Sequence, residues 1–228
     1  ACDNLGIDNS FLNIGLYSMK KFAVMFVMAM LLPLTACAQE PASKWKEGTH
    51  YTVLDKEATD KPVITEYFSF WCPHCFQFEP IVAQIKEKKS DGTKFNKVHV
   101  NFMRFTGPEV QDDATKAMLI ARAMKQEDAM NKAIFNYIHK QRASITGLKD
   151  LRNIFVVNGV DGEEFDKMAK SFGVNSMVRK NQQQIDEYRE HLTGVPSFII
   201  NGKYQPTFTA DMTFDDIADL IVWLSEQK

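Results

Sequence analysis

Hydrophobic positions along the chain follow two different periods, and together they predict a mixed α/β fold. Runs rich in β-branched and aromatic residues predict strands at 49–54, 63–70 and 97–103. Between the second and third runs, apolar residues recur at spacings of three and four, which is typical of a helix. These residues are Phe78, Ile81, Val82 and Ile85. A strand, helix and strand in this order predict a parallel pair joined by a right-handed crossover.

The second half of the chain begins with a long helical block. From about Glu109 to His191 the periodicity is helical, with breaks at Gly147, Asn158-Gly159 and Gly173. After it, the run Ser197–Ile200, the pair Asn201-Gly202 and a strand at 203–208 predict a β-hairpin. A last helix, with Thr213 as its N-cap, ends the chain. We therefore expect an α/β sheet interrupted by helices, and two subdomains built from one discontinuous chain.

Composition narrows the functional classes. The chain has 228 residues, of which 45% are hydrophobic and 25% charged, which is enough apolar content for a folded core and argues against disorder. The formal net charge is -2, so there is no strong positive field to hold nucleic acid. We expect neither nucleic acid nor an anionic lipid surface as a partner.

Residues 19–38 have the pattern of a signal peptide: a Met-Lys-Lys start, a short apolar run and small residues before the cleavage site. The apolar run is too short to span a bilayer comfortably. Residues 1–18 are then upstream sequence that lies outside the folded protein. Leu34 to Cys37 also fits the pattern for bacterial lipid attachment, so a lipid anchor at Cys37 is the alternative. Either reading predicts an exported protein.

If cleavage follows Ala38, the mature chain keeps only Cys72 and Cys75, where a strand turns into a helix. Pro73 suits the first helical position. We expect Cys72 to be an exposed nucleophile at the helix N-terminus, where N–H groups and the macrodipole favour an anion. Cys75 should face inward and resolve the bond. Protonated His74 would stabilise the Cys72 thiolate and make the disulfide easier to reduce.

Two less reactive readings of the cysteine pair are weaker. A zinc site needs two further ligands, and His50, His99 and His191 lack ligand spacing. A structural disulfide that closes so short a loop would constrain little of the unfolded chain. We therefore expect no metal and no other cofactor.

Three segments carry a family resemblance. FSFWCPHCFQFEP, KVHVNFM and TGVPSFIINGKYQ, in this order, resemble the DsbA family of bacterial periplasmic thiol:disulfide oxidoreductases, from about Trp45 to the C-terminus. The resemblance implies an α/β thioredoxin fold with an inserted all-helical domain. Residues 39–105 and 192–228 would form the two parts of the thioredoxin domain, and residues 106–191 the insertion.

The resemblance also implies roles for residues outside the cysteine motif. Val195-Pro196 would be a cis peptide bond whose loop faces the disulfide and pairs with an extended substrate segment. Glu66 would lie beneath the disulfide near Lys97, and the two would tune Cys72 or relay a proton to Cys75. The charge of Glu79, one turn after Cys75, can also act on the cysteine pair. His99 is expected to be an ordinary strand histidine.

The implied function is donation of the Cys72–Cys75 disulfide to newly exported client proteins with free cysteines. Re-oxidation would come from a DsbB-like inner-membrane quinone reductase, and the protein would act as a monomer in the periplasm. A disulfide reductase or isomerase is the alternative within enzymes, although the chain leaves no room for a separate dimerisation domain. A chaperone-like module that holds unfolded chains is the alternative from another class.

Overall fold

The computed structural model describes residues 43–227. The upstream segment 1–18, the signal peptide 19–38 and Cys37 lie outside the described residues, so those predictions stay predictions. Within residues 43–227, none of the helices has the length and apolar character needed to cross a membrane.

Five strands and seven α-helices form the described structure. The strands are β1 (Tyr51–Val53), β2 (Val63–Phe68), β3 (Lys94–His99), β4 (Ser197–Ile200) and β5 (Tyr204–Pro206). The helices are α1 (Pro73–Lys88), α2 (Pro108–Ala123), α3 (Glu127–His139), α4 (Leu148–Val157), α5 (Gly162–Lys170), α6 (Phe172–Tyr188) and α7 (Phe214–Ser225). A 3₁₀ turn, Arg189–His191, follows α6.

The strands form one sheet in the order β1-β5-β4-β2-β3. Strands β2 and β3 are parallel, and the β2/β4, β4/β5 and β1/β5 pairs are antiparallel. Helices α2 to α6 lie between β3 and β4 in the chain, which confirms an α/β fold interrupted by a helical insertion. Residues 44–227 belong to one compact unit, and the exact domain boundaries stay a prediction.

Strands β2 and β3 do not end where the sequence predicts. Strand β2 ends at Phe68 because the backbone turns at once, with the Cys72 N–H donating to the Ser69 carbonyl at 3.0 Å. Strand β3 runs over Lys94–His99 rather than 97–103, because pairing with β2 begins at Val63 opposite Lys94. After β3 the Val100 N–H still donates to the Phe68 carbonyl at 2.9 Å, and Phe102 and Met103 pack against the core without strand pairing.

Alternation along the strands divides the core between the two faces of the sheet. Ile64, Phe198 and Ile200 pack with apolar residues of α1 and α7 on one face. Tyr67 and Ile199 pack on the other face with the end of α6. This alternation is the two-residue period of a strand that is buried on both sides.

The helical insertion shares its core with the start of α1. Phe68, Phe70, Cys72 and Cys75 lie in the same hydrophobic cluster as the buried residues of α2, α3, α4, α5 and α6, including Phe135. The insertion therefore packs directly against the cysteine pair.

The predicted hairpin turn is confirmed, and its asparagine also closes the C-terminal end of the fold. Asn201 and Gly202 have φ values of 52° and 70°, in the left-handed region that a two-residue hairpin turn requires. The Asn201 side chain is buried. Its Oδ1 accepts from the Val63 N–H at 2.9 Å, and its Nδ2 donates to the Ser225 and Gln227 carbonyls at 3.1 and 2.9 Å.

We expect Asn201→Ala to lower the free energy of unfolding by about 2–4 kcal/mol. The substitution strands the Val63 N–H and the carbonyls at the end of α7, and it places alanine at a positive φ. Urea unfolding measures the change. Asn153→Ala, at an exposed position of α4, is the control and should change stability by less than about 0.5 kcal/mol. Equal effects of the two substitutions would contradict the role of Asn201.

Candidate active site

Cys72 is the N-cap of α1, and its sulfur takes the place of the usual capping oxygen. The Cys75 N–H donates to Cys72 Sγ at 3.2 Å. Pro73 occupies the first turn, where its missing N–H leaves no bond unmade, as the sequence predicts. Because the free N–H groups of a helix start favour negative charge, this position suits a thiolate.

Ser69 organises the turn that carries the motif, and the sequence analysis did not single it out. It is fully buried, its carbonyl accepts the Cys72 N–H at 3.0 Å, and its Oγ accepts the Trp71 N–H at 3.3 Å. A single serine at the end of an apolar strand is a turn signal that could have identified it.

Both cysteines of the motif are free thiols in this structure. Cys75 is fully buried, as predicted, but the expectation of an exposed Cys72 sulfur is wrong, since that residue is only 3% exposed. The loop before β4 covers it: Cys72 Sγ lies 3.4 Å from the Val195 carbonyl oxygen. The Val195-Pro196 bond is cis, as the resemblance implies.

The pKa of Cys72 is lowered to about 6, from an ordinary value of 9.0. The largest cause is a hydrogen bond from the Cys75 thiol. It is aided by the backbone N–H groups of Cys75 and His74 and opposed by burial. The charge of His74, an exposed residue, is the smallest of these causes. The sequence predicts the helix N–H groups and the His74 charge as causes but does not reveal the Cys75 thiol as a donor, because the orientation of that thiol depends on packing.

Burial raises the pKa of Cys75 strongly, and the hydrogen bond to Cys72 and the charge of Glu66 add to the rise. The surroundings of the two thiols therefore shift their pKa values in opposite directions, down for Cys72 and up for Cys75. At neutral pH Cys72 is the ionised, nucleophilic sulfur and Cys75 keeps its proton.

Three charged side chains form one cluster, and the charge of one of them, Glu66, acts on Cys75. Lys97 Nζ is 2.8 Å from Glu66 Oε2 and 2.6 Å from Glu79 Oε1, and both Lys97 and Glu66 are buried. Burial raises the pKa of Glu66 despite Lys97. Burial alone would lower the pKa of Lys97, but the two carboxylates together raise it. The pair predicted from the resemblance is therefore brought together, with Glu79 as a third member.

His99 is a buried histidine at the end of β3. It is fully buried, and its Nδ1 lies 2.8 Å from Thr115 Oγ1. Burial lowers the pKa of His99 to about 3, so the ring is uncharged at neutral pH. Within residues 43–227, no group of three or more His, Cys, Asp or Glu side chains could hold a metal ion.

A thioredoxin-type sheet with an ionised cysteine at a helix N-terminus and a buried, protonated cysteine one turn later defines a thiol:disulfide oxidoreductase. Residues 63–221 match the DSBA-like thioredoxin domain, and the chain belongs to that family.

Comparison with known proteins agrees with this assignment. The chain is 35% identical over 196 residues to the thiol:disulfide interchange protein DsbA of Shigella flexneri, covering 82% of this chain and 91% of that protein. The DsbA of Escherichia coli K12 matches with the same identity and coverage. The structure of Proteus mirabilis DsbA with a non-covalently bound peptide, PWATCDS, is similar with a TM-score of 0.72 and 29% identity. That match covers 81% of this chain and 100% of the other.

We expect the thiolate absorbance of the reduced protein to titrate with a midpoint near pH 6. Cys75→Ala removes the largest cause of the lowered pKa and should raise the midpoint by about one unit or more. His74→Ser removes only a side-chain charge, since the backbone N–H remains, and should raise it by less than about half a unit. A larger shift for His74→Ser than for Cys75→Ala would contradict this order of causes.

The same shift fixes the sign of a pH-dependent stability. The pKa of Cys72 is lower in the folded reduced protein than in the unfolded chain, so the unfolded state binds more protons between the two values. The stabilisation is fully present above the ordinary thiol pKa and is lost as the pH falls through about 6. Urea unfolding of the reduced protein against pH measures it, and Cys72→Ser, which lacks the thiol, should not show it.

Proposed function

We propose that the protein donates its Cys72–Cys75 disulfide to newly exported client proteins. The observation that carries the proposal is the opposite displacement of the two thiol pKa values, with Cys72 lowered to about 6 and Cys75 raised. A disulfide whose reduced form contains a stabilised thiolate is easily reduced, so it takes electrons from its partners.

The proposed reaction has two exchange steps. A client thiolate attacks Cys72 Sγ, a client–Cys72 bond forms, and the Cys72–Cys75 bond breaks as Cys75 leaves and takes up a proton. A second client thiolate then attacks the client sulfur of the mixed disulfide and releases Cys72 as a thiolate. The client loses two electrons and gains a disulfide, and the protein becomes the dithiol. Because a thiol of low pKa is a good leaving group, the second step favours release.

Glu66 is proposed as the group that exchanges a proton with Cys75. Burial raises the pKa of Glu66, so this carboxyl can take up a proton inside the protein. When it is ionised, its charge raises the pKa of Cys75. Lys97 holds the carboxyl in position from 2.8 Å, and Glu79, with its side chain 30% exposed, gives this buried group a link towards solvent. A buried carboxyl of this kind is suited to a proton transfer at neutral pH.

The backbone at Val195 and Pro196 is proposed as the subsite for the client chain. The Val195 carbonyl lies against the reactive sulfur, and β4 begins one residue after Pro196. An extended client segment could pair with such a backbone. The peptide in the related Proteus mirabilis structure supports peptide binding in this family.

Family membership also supports the proposed cellular setting. We propose that the protein acts as a monomer in the periplasm and is re-oxidised by a DsbB-like inner-membrane quinone reductase. Cys37 is either removed with the signal peptide or carries a lipid. A reductase would pass electrons to its clients, and an isomerase would rearrange client disulfides with no net electron flow. Measuring the equilibrium of the Cys72/Cys75 pair against glutathione separates disulfide donation from disulfide reduction.

We expect Cys72→Ser to abolish oxidation of a reduced, unfolded client. We expect Cys75→Ser, after oxidised glutathione has converted its Cys72 thiol to a glutathione mixed disulfide, to accumulate client mixed disulfides through Cys72 as glutathione leaves. In the first variant the attacked sulfur is gone, and in the second it survives without its partner. Non-reducing electrophoresis with mass spectrometry detects the adducts. Equal adduct formation through Cys75 in Cys72→Ser would reverse the assignment. A holding activity that survives in both variants, with no oxidation by wild type, would favour the chaperone alternative.

We expect Glu66→Gln to slow client oxidation about tenfold and to change its pH profile, because the replacement keeps shape but cannot release a proton. Stopped-flow kinetics across the neutral range measures the effect. Glu87→Gln, at an exposed carboxyl near the end of helix α1, is the control and should leave the rate unchanged. A Glu66→Gln profile superimposable on that of wild type would contradict the relay.

A further inference from the structure

His139, the last residue of α3, reaches from the helical insertion to the turn that carries the cysteines. Its Nε2 lies 2.8 Å from the Phe70 carbonyl oxygen. Its ring stacks on Phe76, with centroids 4.9 Å apart and an interplanar angle of 8°. Phe70 precedes Cys72 by two residues and Phe76 follows Cys75 directly, so one side chain contacts both flanks of the motif.

We infer that the hydrogen bond from His139 to Phe70 makes His139 a positioning residue for the reactive cysteine. It holds the turn from Ser69 to Cys72 against the start of α1, and so keeps the Cys72 sulfur on the N–H groups that stabilise its thiolate. The inference concerns the thiol chemistry of Cys72 itself and does not depend on which client or partner the protein serves.

The direction of the hydrogen bond follows from its acceptor. A carbonyl oxygen only accepts, so the proton at this contact belongs to His139 Nε2. The bond exists whether the ring is neutral or cationic, because Nε2 carries a proton in both cases. His139 is therefore a permanent clamp on the Phe70 carbonyl.

The effect on Cys72 comes through geometry. The Cys75 N–H to Cys72 Sγ distance is 3.2 Å, and the Cys72 N–H to Ser69 carbonyl distance is 3.0 Å, so the sulfur is held by one short turn on each side. Hydrogen bonds weaken steeply as their angles depart from linearity. If the turn is released at Phe70, the Cys72 sulfur can move away from the Cys75 N–H that stabilises its thiolate. The pKa of Cys72 then rises, and the disulfide becomes harder to reduce.

Packing alone does not explain a histidine at this position. Phe135, one turn earlier on α3, already fills the space between Phe70 and Phe76, at 5.1 and 5.8 Å between ring centroids. The His139 ring is half-buried and adds a polar contact that a phenylalanine cannot make. The hydrogen bond to the Phe70 carbonyl is therefore the feature that distinguishes a positioning role of His139 from a packing role.

Three substitutions divide the two contacts of His139. His139→Gln keeps an N–H donor for the Phe70 carbonyl but loses the stack, His139→Phe keeps the stack but loses the donor, and His139→Ala loses both. His191→Gln, a half-buried histidine outside the cysteine site, is the matched control. Each full-length protein is measured by thiolate absorbance against pH and by its redox equilibrium with glutathione. Neither readout requires a client, so failure here is distinguishable from failure of the proposed disulfide donation.

We expect His139→Phe and His139→Ala to raise the thiolate midpoint and to lower the equilibrium constant for reduction by glutathione about three- to tenfold. His139→Gln should stay within about twofold of wild type, and His191→Gln should match wild type. Wild-type behaviour of His139→Phe would overturn the proposal and leave only a packing role. If His139→Ala does not fold, the comparison of Gln with Phe still decides: rescue by glutamine alone supports the clamp, and equal behaviour of the two overturns it.

Discussion

The chemistry of this protein depends on one interaction, the capping of helix α1 by the sulfur of Cys72. A hydrogen bond from the Cys75 thiol, aided by the Cys75 N–H at 3.2 Å and the His74 N–H at the helix start, lowers the pKa of Cys72 to about 6. An anion is tolerated here because the helix supplies donors that need no reorganisation. The low pKa makes Cys72 both the ionised sulfur of the reduced form and a good leaving group from a mixed disulfide.

The surrounding fold keeps the second thiol in the opposite state. Cys75 faces the core shared by the sheet and the helical insertion, where burial holds its proton in place. A proton must therefore move whenever Cys75 changes state, and Glu66 is the nearby carboxyl whose pKa burial raises. Lys97 keeps this buried carboxyl paired, and its second partner, Glu79, stabilises the lysine as a cation.

The helical insertion contributes more than a cover for the sheet. Its aromatic residues enter the same cluster as Phe70 and the two cysteines, and His139 adds a directed bond to the turn that precedes them. The loop before β4 places the Val195 carbonyl against the sulfur, and Asn201 ties the β4–β5 hairpin that follows to β2 and to the end of α7. The reactive thiol is thus held by segments distant in the chain.

The sequence by itself determined the elements that arise from local spacing: the cysteine pair at a helix start, Pro73 in its first turn, the Asn201-Gly202 turn and the order of strands and helices. Each depends on residues within a turn or two of one another, so periodicity and backbone preference reveal it. Resemblance added the Glu66–Lys97 pair. Only the tertiary structure decided that Cys72 is covered by the Val195 loop, that the Cys75 thiol outweighs the His74 charge, and that His139 reaches Phe70. These contacts join segments far apart in the chain, and their direction depends on how the helices pack, which local spacing does not specify.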